Sequence, residues 1–279
     1  MLPDATLDLP ISEIMDELKL RMRAGDEAVL QAPPGAGKTT VVPLALLDEN
    51  WLGNRKILVL EPRRIATRAA AARMAQLLGE ALGETVGSRV RLDSCVSERT
   101  RIEVVTEGLL TRLLKRDPGL EDVGLVIFDE FHERNLDSDL CLALCLQGRE
   151  SYREGPALKL LVMSATLDGD AVSELLGGAP VVSSEGRQFP VETRYGQPYQ
   201  LRDSIIPPAV KTIQLALREQ DGSILVFLPG QREINRVARD LSDQLRQQGQ
   251  EQVSVEPLYG GLPLERQEAI RPGPKKRAF

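Results

Sequence analysis

The chain has 279 residues, 42% of them hydrophobic, and is therefore long enough to bury a core in each of two domains. Its 35 lysines and arginines against 41 aspartates and glutamates give a net charge of −6, which excludes the strongly basic composition of a protein that coats nucleic acid. The absence of a long apolar run or a secretion signal, with only three cysteines and one histidine, predicts a cytoplasmic protein with no membrane segment, reduced thiols and no structural zinc.

Five short runs that are apolar throughout predict strands buried on both faces of a parallel sheet. Helical patterns such as residues 65–82 lie between them. This alternation predicts an α/β fold with an open, doubly wound parallel sheet. The five runs lie at residues 28–31, 57–60, 125–128, 158–163 and 224–228.

The composition changes after residue 177 to a stretch rich in Gly, Pro and Ser, before a new helical pattern near residues 204–220. Such a stretch is typical of a linker. We therefore predict a first domain of residues 1–182, a linker of residues 183–203 and an incomplete second domain of residues 204–279.

The stretch AVLQAPPGAGKTT, residues 28–40, combines an apolar strand, a glycine-rich turn and a helix start, which is the context of a P-loop. Glycines let backbone N–H groups turn towards a phosphate, and the helix start adds partial positive charge. We expect Lys38 to reach the β and γ phosphates and Thr39 to supply a hydroxyl to Mg²⁺. Ala32 replaces the first glycine of the pattern, and the alternative is a turn that only caps a helix. The predicted nucleotide-binding residues are Ala32, Pro33, Pro34, Gly35, Ala36, Gly37, Lys38, Thr39 and Thr40.

Two adjacent carboxylates, Asp129 and Glu130, follow the apolar strand of LVIFDEFHER. Ligands bind at the carboxyl ends of strands in open α/β sheets, so both acids are expected close to the P-loop. Asp129 is suited to the Mg²⁺ shell and Glu130 to orienting and deprotonating the attacking water. The alternative is an exposed acidic turn.

Two further segments are candidates for contact with a phosphate backbone. Arg63 and Arg64 follow the second apolar run, and guanidinium groups bind phosphates bidentately. Thr106, with the backbone of Glu107 and Gly108, opens a helix after the strand pattern RIEVV. Aromatic residues make up only 4% of the chain, which favours salt-sensitive backbone binding over base stacking. The alternative is that the arginines are helix caps and surface charges.

In this order, the motifs resemble those of the DEAH-box ATP-dependent RNA helicases of superfamily 2. APPGAGKTT resembles motif I, EPRRIATRAAAARMA motif Ia, DEFH motif II, SAT at residues 164–166 motif III and ILVFLPGQREI motif IV. The compact spacing is most similar to the bacterial HrpB type. The resemblance implies a RecA-like fold for both domains, ATP and Mg²⁺ as cofactors, and RNA as the partner, although the sequence leaves RNA against DNA open.

The resemblance also implies roles for individual residues. His132, the only histidine, would be a catalytic and coupling residue that links the nucleotide site to Ser164 and Thr166. Imidazole suits this role because it can donate and accept a hydrogen bond at once, and the alternative is a satisfied core histidine. Arg73 resembles the arginine that stacks on adenine in this family.

The family's motifs V and VI are not found in the sequence. Motif VI carries arginines that stabilise the transferring phosphoryl group, so we expect the amino-terminal part of a helicase with weak or no ATP turnover alone. Two rivals are a non-catalytic nucleotide- or RNA-binding fragment and a different P-loop enzyme, such as a GTPase, kinase or transporter ATPase. The sequence has neither the NKxD nor the LSGGQ signature of those enzymes.

Overall fold

The computed structural model describes residues 9–90, 93–165, 169–185, 190–198, 200, 202–250 and 252–270, apart from the side chains of Arg64, Leu264 and Glu268. The chain divides into two compact units, residues 1–189 and 190–279, and the division falls within the predicted linker. The exact domain bounds proposed from the sequence stay a prediction.

The first unit alternates strands and helices along the chain, as its sequence pattern predicts. A 3-10 helix, Pro10–Ile14, precedes the regular elements, and a second, Phe131–Glu133, follows the sixth strand. The regular elements are α1 (Met15–Ala24), β1 (Glu27–Gln31), α2 (Lys38–Leu46), β2 (Lys56–Leu60), α3 (Arg64–Leu78), β3 (Val86–Val90), β4 (Asp93–Cys95), β5 (Ile102–Val105), α4 (Glu107–Arg116), β6 (Val123–Phe128), α5 (Leu136–Ser151), β7 (Lys159–Ser164), α6 (Gly169–Leu175) and β8 (Val181–Ser183).

The eight strands form one sheet in the order β4-β3-β5-β2-β6-β7-β1-β8. All neighbours are parallel except β3 and β4, which are antiparallel. All six residues of β6 and all six of β7 are buried, which is typical of strands covered on both faces. The predicted doubly wound parallel sheet is therefore confirmed.

Successive residues of a strand point to opposite faces of the sheet, and this alternation separates two hydrophobic cores. In β6, Leu125 and Ile127 join the core beneath α1, α2 and α3, whereas Val126 and Phe128 join the core beneath α4, α5 and α6. Helices on both faces leave the carboxyl edge of the sheet uncovered. The loops that follow β1, β2, β5, β6 and β7 meet at that edge.

The cysteines of α5 confirm the prediction of core thiols. Cys141 and Cys145 are buried in the second core, and Cys95 in β4 is partly buried; all three are free thiols. Burial raises the pKa of the Cys145 thiol well above its ordinary value, so this sulfur is unreactive packing material.

The second unit contains α7 (Ile206–Glu219), α8 (Gln231–Gln247) and α9 (Leu264–Ala269). Its small core joins one face of α7 to one face of α8. The residues of this core are Ile206, Val210, Ile213, Val237, Leu241 and Leu245.

The prediction of a strand buried on both faces at residues 224–228 is wrong. The described part of the second unit contains no strand, and Leu225 and Phe227 are 66% and 87% exposed. Val226 and Leu228 do pack against the small core, so the segment is extended and half-buried. An apolar run predicts a buried strand only when neighbouring strands are present to pair with its backbone, and none lies beside it here.

The described residues contain no helix that is long and apolar enough to cross a membrane.

Candidate functional site

Residues 32–37, here called the phosphate loop, connect β1 to α2 at the carboxyl edge of the sheet. Gly35 and Gly37 have φ angles of 79° and 96°, in the left-handed region that side chains rarely adopt. A Cβ atom at Gly37 would also lie 2.8 Å from the Leu9 side chain. The turn therefore requires glycine at Gly37 for its backbone conformation, whereas the Leu9 side chain can shift to make room.

Hydrogen bonds fix both ends of the phosphate loop. The Ala32 N–H donates to the carbonyl of Ser164 at 3.0 Å, which ties the loop entry to the end of β7. The carbonyl of Gly37 accepts from the N–H groups of Thr40 and Val41 at 3.2 and 2.9 Å, which starts α2. Ala32 is buried in the core, where its methyl group fits in place of the first glycine of the pattern. The first N–H groups of α2 lack partners within the helix and face the loop.

The structure brings Lys38 and Glu130 together, although 92 residues separate them. The Lys38 ammonium lies 3.2 Å from Glu130 Oε1, and the Lys38 side chain is only 4% exposed. A buried ammonium needs a partner because desolvation of a lone charge is costly. The sequence prediction that the acidic pair lies next to the P-loop is consistent with this geometry.

Asp129 is almost fully buried beside the same lysine. Its Oδ1 accepts from the Glu130 N–H at 2.8 Å, whereas its buried Oδ2 has no hydrogen-bond partner. The pKa of Asp129 is raised to about 6, because burial and, to a smaller extent, the charge of Glu130 outweigh a hydrogen bond from Thr39 and the charge of Lys38. The Oδ2 atom of Asp129 is thus available to bind a ligand.

A third acid at this edge, Glu61, was missed in the sequence. It directly follows β2 and is 4% exposed. Burial raises the pKa of Glu61 to about 8, and repulsion from Asp129, Glu130 and Glu133 adds to the effect. The sequence feature that could have identified Glu61 is its position, because it directly follows an apolar strand, as Asp129 does.

Residues 129–134, the DEFHER segment, have a strained backbone. Glu130 and Arg134 have φ angles of 51° and 50° and bracket the 3-10 helix Phe131–Glu133. Left-handed conformations in such residues cost on the order of 1–3 kcal/mol each and persist only where the surroundings hold them. Phe131 supplies that support: its ring packs edge-on against Phe128 at 6.2 Å, with the Arg134 guanidinium 5.6 Å from its centroid.

His132 contacts the segment that follows β7. Its Nδ1 accepts from the Ala165 N–H at 3.2 Å, and the same nitrogen lies 3.4 Å from Glu130 Oε2. A neutral Nδ1 can accept from Ala165, and a protonated Nδ1 can donate to Glu130, but one atom cannot do both. The structure therefore brings His132 to the predicted SAT motif through Ala165, next to Ser164, whereas Thr166 lies outside the described residues.

Arg63 and Glu133 form an exposed ion pair at the same edge. Arg63 caps the start of α3, and its Nη2 lies 2.6 Å from Glu133 Oε1, with the two side chains 70% and 34% exposed. Arg63 is thus accessible at the surface, next to the DEFHER segment. The side chain of its predicted companion, Arg64, lies outside the described part of the chain.

Thr106, Glu107 and Gly108 open α4, as predicted. Thr106 is the N-cap, and Gly108 is exposed with open space around it. The Glu107 side chain, however, is turned inward and is 7% exposed. It accepts hydrogen bonds from Asn135 Nδ2 and Ser138 Oγ at 2.8 and 2.9 Å. Only the backbone of Glu107 is therefore available to a ligand.

Arg73 lies on the exposed face of α3, and its Nη1 donates to Gln76 Oε1 at 2.9 Å. Among the described residues this hydrogen bond is local to α3. The structure does not bring Arg73 into contact with the phosphate loop, and its role beside adenine stays a prediction.

Comparison with known protein families agrees with this geometry. Residues 12–175, more than half of the chain, match the model of the DEAD/DEAH box helicase family. The chain belongs to the DEAD/DEAH box helicase family. The matched range contains the phosphate loop, the DEFHER segment and both segments predicted to contact a phosphate backbone.

Relatives of this helicase chain include the ATP-dependent RNA helicase HrpB of Escherichia coli K12, 48% identical over 96% of the chain. The ATP-dependent RNA helicase HrpA of Borreliella burgdorferi is 33% identical over 94% of it. The chain spans only 32% and 31% of the lengths of these two relatives.

Two solved structures of E. coli HrpB are similar to the whole chain. The DEAH/RHA helicase HrpB structure has a TM-score of 0.87 at 46% identity and covers 97% of this chain and 34% of its own. The DExH-box NTPase HrpB structure has a TM-score of 0.78 at 46% identity, covering 97% of this chain and 33% of its own. At this identity, the resemblance to the HrpB type noted from sequence is confirmed.

Proposed function

We propose that this chain binds ATP with Mg²⁺ at the phosphate loop and couples that site to RNA, as part of an ATP-dependent RNA helicase. The observation that carries the proposal is the ion pair between the buried Lys38, which directly follows the phosphate loop, and Glu130 of the DEFHER segment. Both relatives are ATP-dependent RNA helicases by name, which supports RNA helicase activity. Because the chain spans about a third of those relatives, unwinding belongs to the proposal and not to the findings.

Lys38 holds the nucleotide in this proposal. Its ammonium pairs with Glu130, and the β and γ phosphates of ATP would compete for the same donor. Release from Lys38 frees Glu130 to accept a proton from the attacking water. The residues proposed to surround the phosphates are Ala32, Pro33, Pro34, Gly35, Ala36, Gly37, Thr39 and Thr40.

Mg²⁺ fits the residues present. The described chain has no group of three or more His, Cys, Asp or Glu side chains that could hold a metal, but Mg²⁺ in phosphate sites needs only one or two protein ligands and keeps several waters. The unpartnered Oδ2 of Asp129 and the hydroxyl of Thr39 are hard oxygen ligands at the right edge of the sheet. When bound, Mg²⁺ would neutralise charge on the phosphates and hold them in position.

RNA would bind along the surface formed by Arg63, Thr106 and Gly108, with Arg64 beside Arg63. The exposure of Arg63 and Gly108 at this sheet edge supports contacts to phosphates without readout of the bases. Glu107 contributes through its backbone only.

His132 and Ser164 would report the state of the nucleotide through the contact between His132 and Ala165. Thr166, adenine stacking by Arg73 and a cytoplasmic location stay predictions of the sequence.

Nucleotide binding is tested by titrating a fluorescent ATP analogue with Mg²⁺ into the wild-type chain and Lys38→Ala. We expect Lys38→Ala to weaken binding by at least about tenfold, because a charge-assisted bond to phosphate is lost. Lys115→Ala, an exposed lysine at the end of α4, is the matched control. Equal affinity in Lys38→Ala and the wild type would remove the phosphate loop from the proposal.

The second candidate is a nucleotide- and RNA-binding fragment without turnover. The absence of a paired strand in the described second unit favours it, because the partner domain completes the catalytic site in the related helicases. Steady-state ATP hydrolysis with and without single-stranded RNA, against Glu130→Gln, decides between the two candidates. RNA-stimulated turnover that Glu130→Gln abolishes supports the motor; binding without turnover supports the fragment. Single-stranded DNA in parallel tests the choice of nucleic acid.

A further inference from the structure

A buried polar cluster joins the start of α4 to the start of α5. Glu107 Oε1 accepts from both Asn135 Nδ2 and Ser138 Oγ. The backbone carbonyl of Glu107 accepts from the Thr111 hydroxyl at 3.0 Å, and the Cys141 thiol lies 3.6 Å from it. The cluster lies between two packed helices, away from the phosphate loop and Mg²⁺ residues.

The two ends of this cluster belong to different parts of the site. Asn135 directly follows the DEFHER segment and caps α5, because its Oδ1 accepts from the Asp137 N–H at 3.1 Å. Glu107 directly follows Thr106 and is the first residue of α4, on the surface proposed for RNA. The Asn135 amide therefore uses its oxygen on one helix and its nitrogen on the other.

Burial makes the hydrogen bonds between Glu107 of α4 and the start of α5 costly to break. Ser138 is 5% exposed and Glu107 is 7% exposed. In the described part of the chain, the side-chain donors to the Glu107 carboxylate are the neutral groups of Asn135 and Ser138. Its own backbone N–H also donates to it, and the nearby charges of Asp137 and Glu133 repel it. A buried carboxylate that lost these donors would be left poorly satisfied, so a shift of α4 must move α5 with it.

We propose that Asn135 and Ser138 are positioning residues that transmit RNA occupancy at the start of α4 to the DEFHER segment through Glu107. The inference rests on the proposed function and deepens it. Glu130 and Arg134 hold strained, left-handed backbone conformations, and a movement of α5 would release that strain in the DEFHER segment. A purely structural role would leave the response of the nucleotide site to RNA unchanged.

The test measures how strongly RNA binding changes nucleotide affinity in the 279-residue chain. The affinity for a fluorescent ATP analogue with Mg²⁺ is measured without RNA and with saturating single-stranded oligouridine, and the ratio of the two dissociation constants is the coupling factor. Ser138→Ala removes one donor to Glu107. Ser151→Ala makes the same substitution at the exposed far end of α5 and is the matched control.

We expect Ser138→Ala to bring the coupling factor about 3- to 10-fold closer to one, with nucleotide affinity in the absence of RNA unchanged. Asn135→Asp is the second variant: it keeps the cap oxygen, loses the donor and places a second carboxylate beside Glu107. It should reduce coupling at least as strongly. Thermal unfolding of each variant, and amide exchange across residues 129–136 on RNA addition, separate lost coupling from lost folding.

A coupling factor that is equal in the wild type, Ser138→Ala and Asn135→Asp overturns the inference. So does a wild-type chain that binds both ligands with a coupling factor of one. The first result leaves the proposed function intact, whereas the second also removes the coupling of ATP to RNA from it. The proposed binding of ATP and RNA fails if the wild-type chain does not bind the ATP analogue or the oligouridine.

Discussion

Arg63 can pair with two anions, the Glu133 carboxylate or an RNA phosphate. The pair with Glu133 is exposed, and exposed ion pairs contribute about 0–1 kcal/mol, so a phosphate can displace the carboxylate at little cost. Because Glu133 belongs to the DEFHER segment, that exchange also alters the surroundings of Glu130. At the scale of single residues, an RNA phosphate bound by Arg63 would therefore change the contacts of the segment that carries Glu130.

Glu133→Gln should strengthen RNA binding by about two- to fivefold at low salt, because Arg63 is released and a like charge to phosphate is removed. Fluorescence anisotropy of a labelled oligouridine measures the affinity. Glu98→Gln, at an exposed position of the same unit, controls for the general loss of one negative charge. An equal gain in both variants would show that Arg63 is not the cause.

Glu61 predicts a dependence of stability on pH. Burial first, and the neighbouring acids second, raise its pKa from 4.5 to about 8. The folded state holds this proton more tightly than the unfolded chain, so the stabilisation is fully present below about pH 4.5 and is lost as the pH rises through about 8.

Glu61→Gln, which cannot ionise, should therefore raise the melting temperature at pH 9 by about 3–6 °C and leave it nearly unchanged at pH 4.5. Differential scanning calorimetry without nucleotide measures the difference. The exposed Glu98→Gln should follow the wild type at both pH values. Parallel pH profiles of the wild type and Glu61→Gln would mean that Glu61 is ionised in the folded protein.

The phosphate loop is the element on which the site depends most, and its shape comes from its backbone. A single position, Gly37, combines a left-handed conformation with a close approach to Leu9. The DEFHER segment shows the converse, since Glu130 and Arg134 accept the same conformation without glycine because Phe131 anchors them. The phosphate loop avoids backbone strain because it has glycine at the left-handed position, whereas the DEFHER segment tolerates the strain because the packing of Phe131 holds it in place.

Gly37→Ala should destabilise the first unit by about 1–3 kcal/mol and abolish nucleotide binding, because the loop must deform to relieve the backbone strain of a left-handed alanine. Urea unfolding and titration with the ATP analogue measure the two effects. Gly25→Ala is the matched control, since Gly25 has an extended backbone and its added Cβ meets one atom at 3.9 Å. Tight nucleotide binding by Gly37→Ala would contradict the assignment of the loop.

At the scale of the whole molecule, the two units differ in how their cores are built. The first unit covers an eight-stranded sheet on both faces, whereas the second relies on a small contact between α7 and α8. Separate cores predict separate unfolding transitions. The only tryptophan, Trp51, lies in the first unit and reports on that unit alone.

Leu241→Ala, at a position 1% exposed in α8, should lower the stability of the second unit by about 2–4 kcal/mol and leave the Trp51 fluorescence transition in place. Leu161→Ala, fully buried in β7, should do the reverse. Urea titrations followed by fluorescence and by circular dichroism separate the two transitions. A shift of the Trp51 transition in Leu241→Ala would show that the units unfold as one.

The parts that could be predicted from the sequence depend on residues that are adjacent in it. Strands β1, β2, β5, β6 and β7, the phosphate loop and the positions of Asp129 and Glu130 after β6 follow from runs of a few residues, whereas β3, β4 and β8 had no such signal. The inward turn of Glu107 and the Arg63–Glu133 pair join distant segments, so no local pattern carries them. The strand expected at residues 224–228 failed for the same reason, because strand pairing is decided by neighbours that the run itself does not contain.

The DEFHER segment touches the start of α2 through Glu130, the start of α3 through Glu133, the residue after β7 through His132, and α4 through the adjoining Asn135. A genetic screen for alleles that separate ATP use from RNA binding will therefore recover few from within these six residues, because most substitutions there disturb several neighbours at once. Alleles that separate the two activities should instead map to the residues that contact the DEFHER segment, because each of these meets the segment at one contact. Second-site suppressors of mutations in DEFH should map to the same residues.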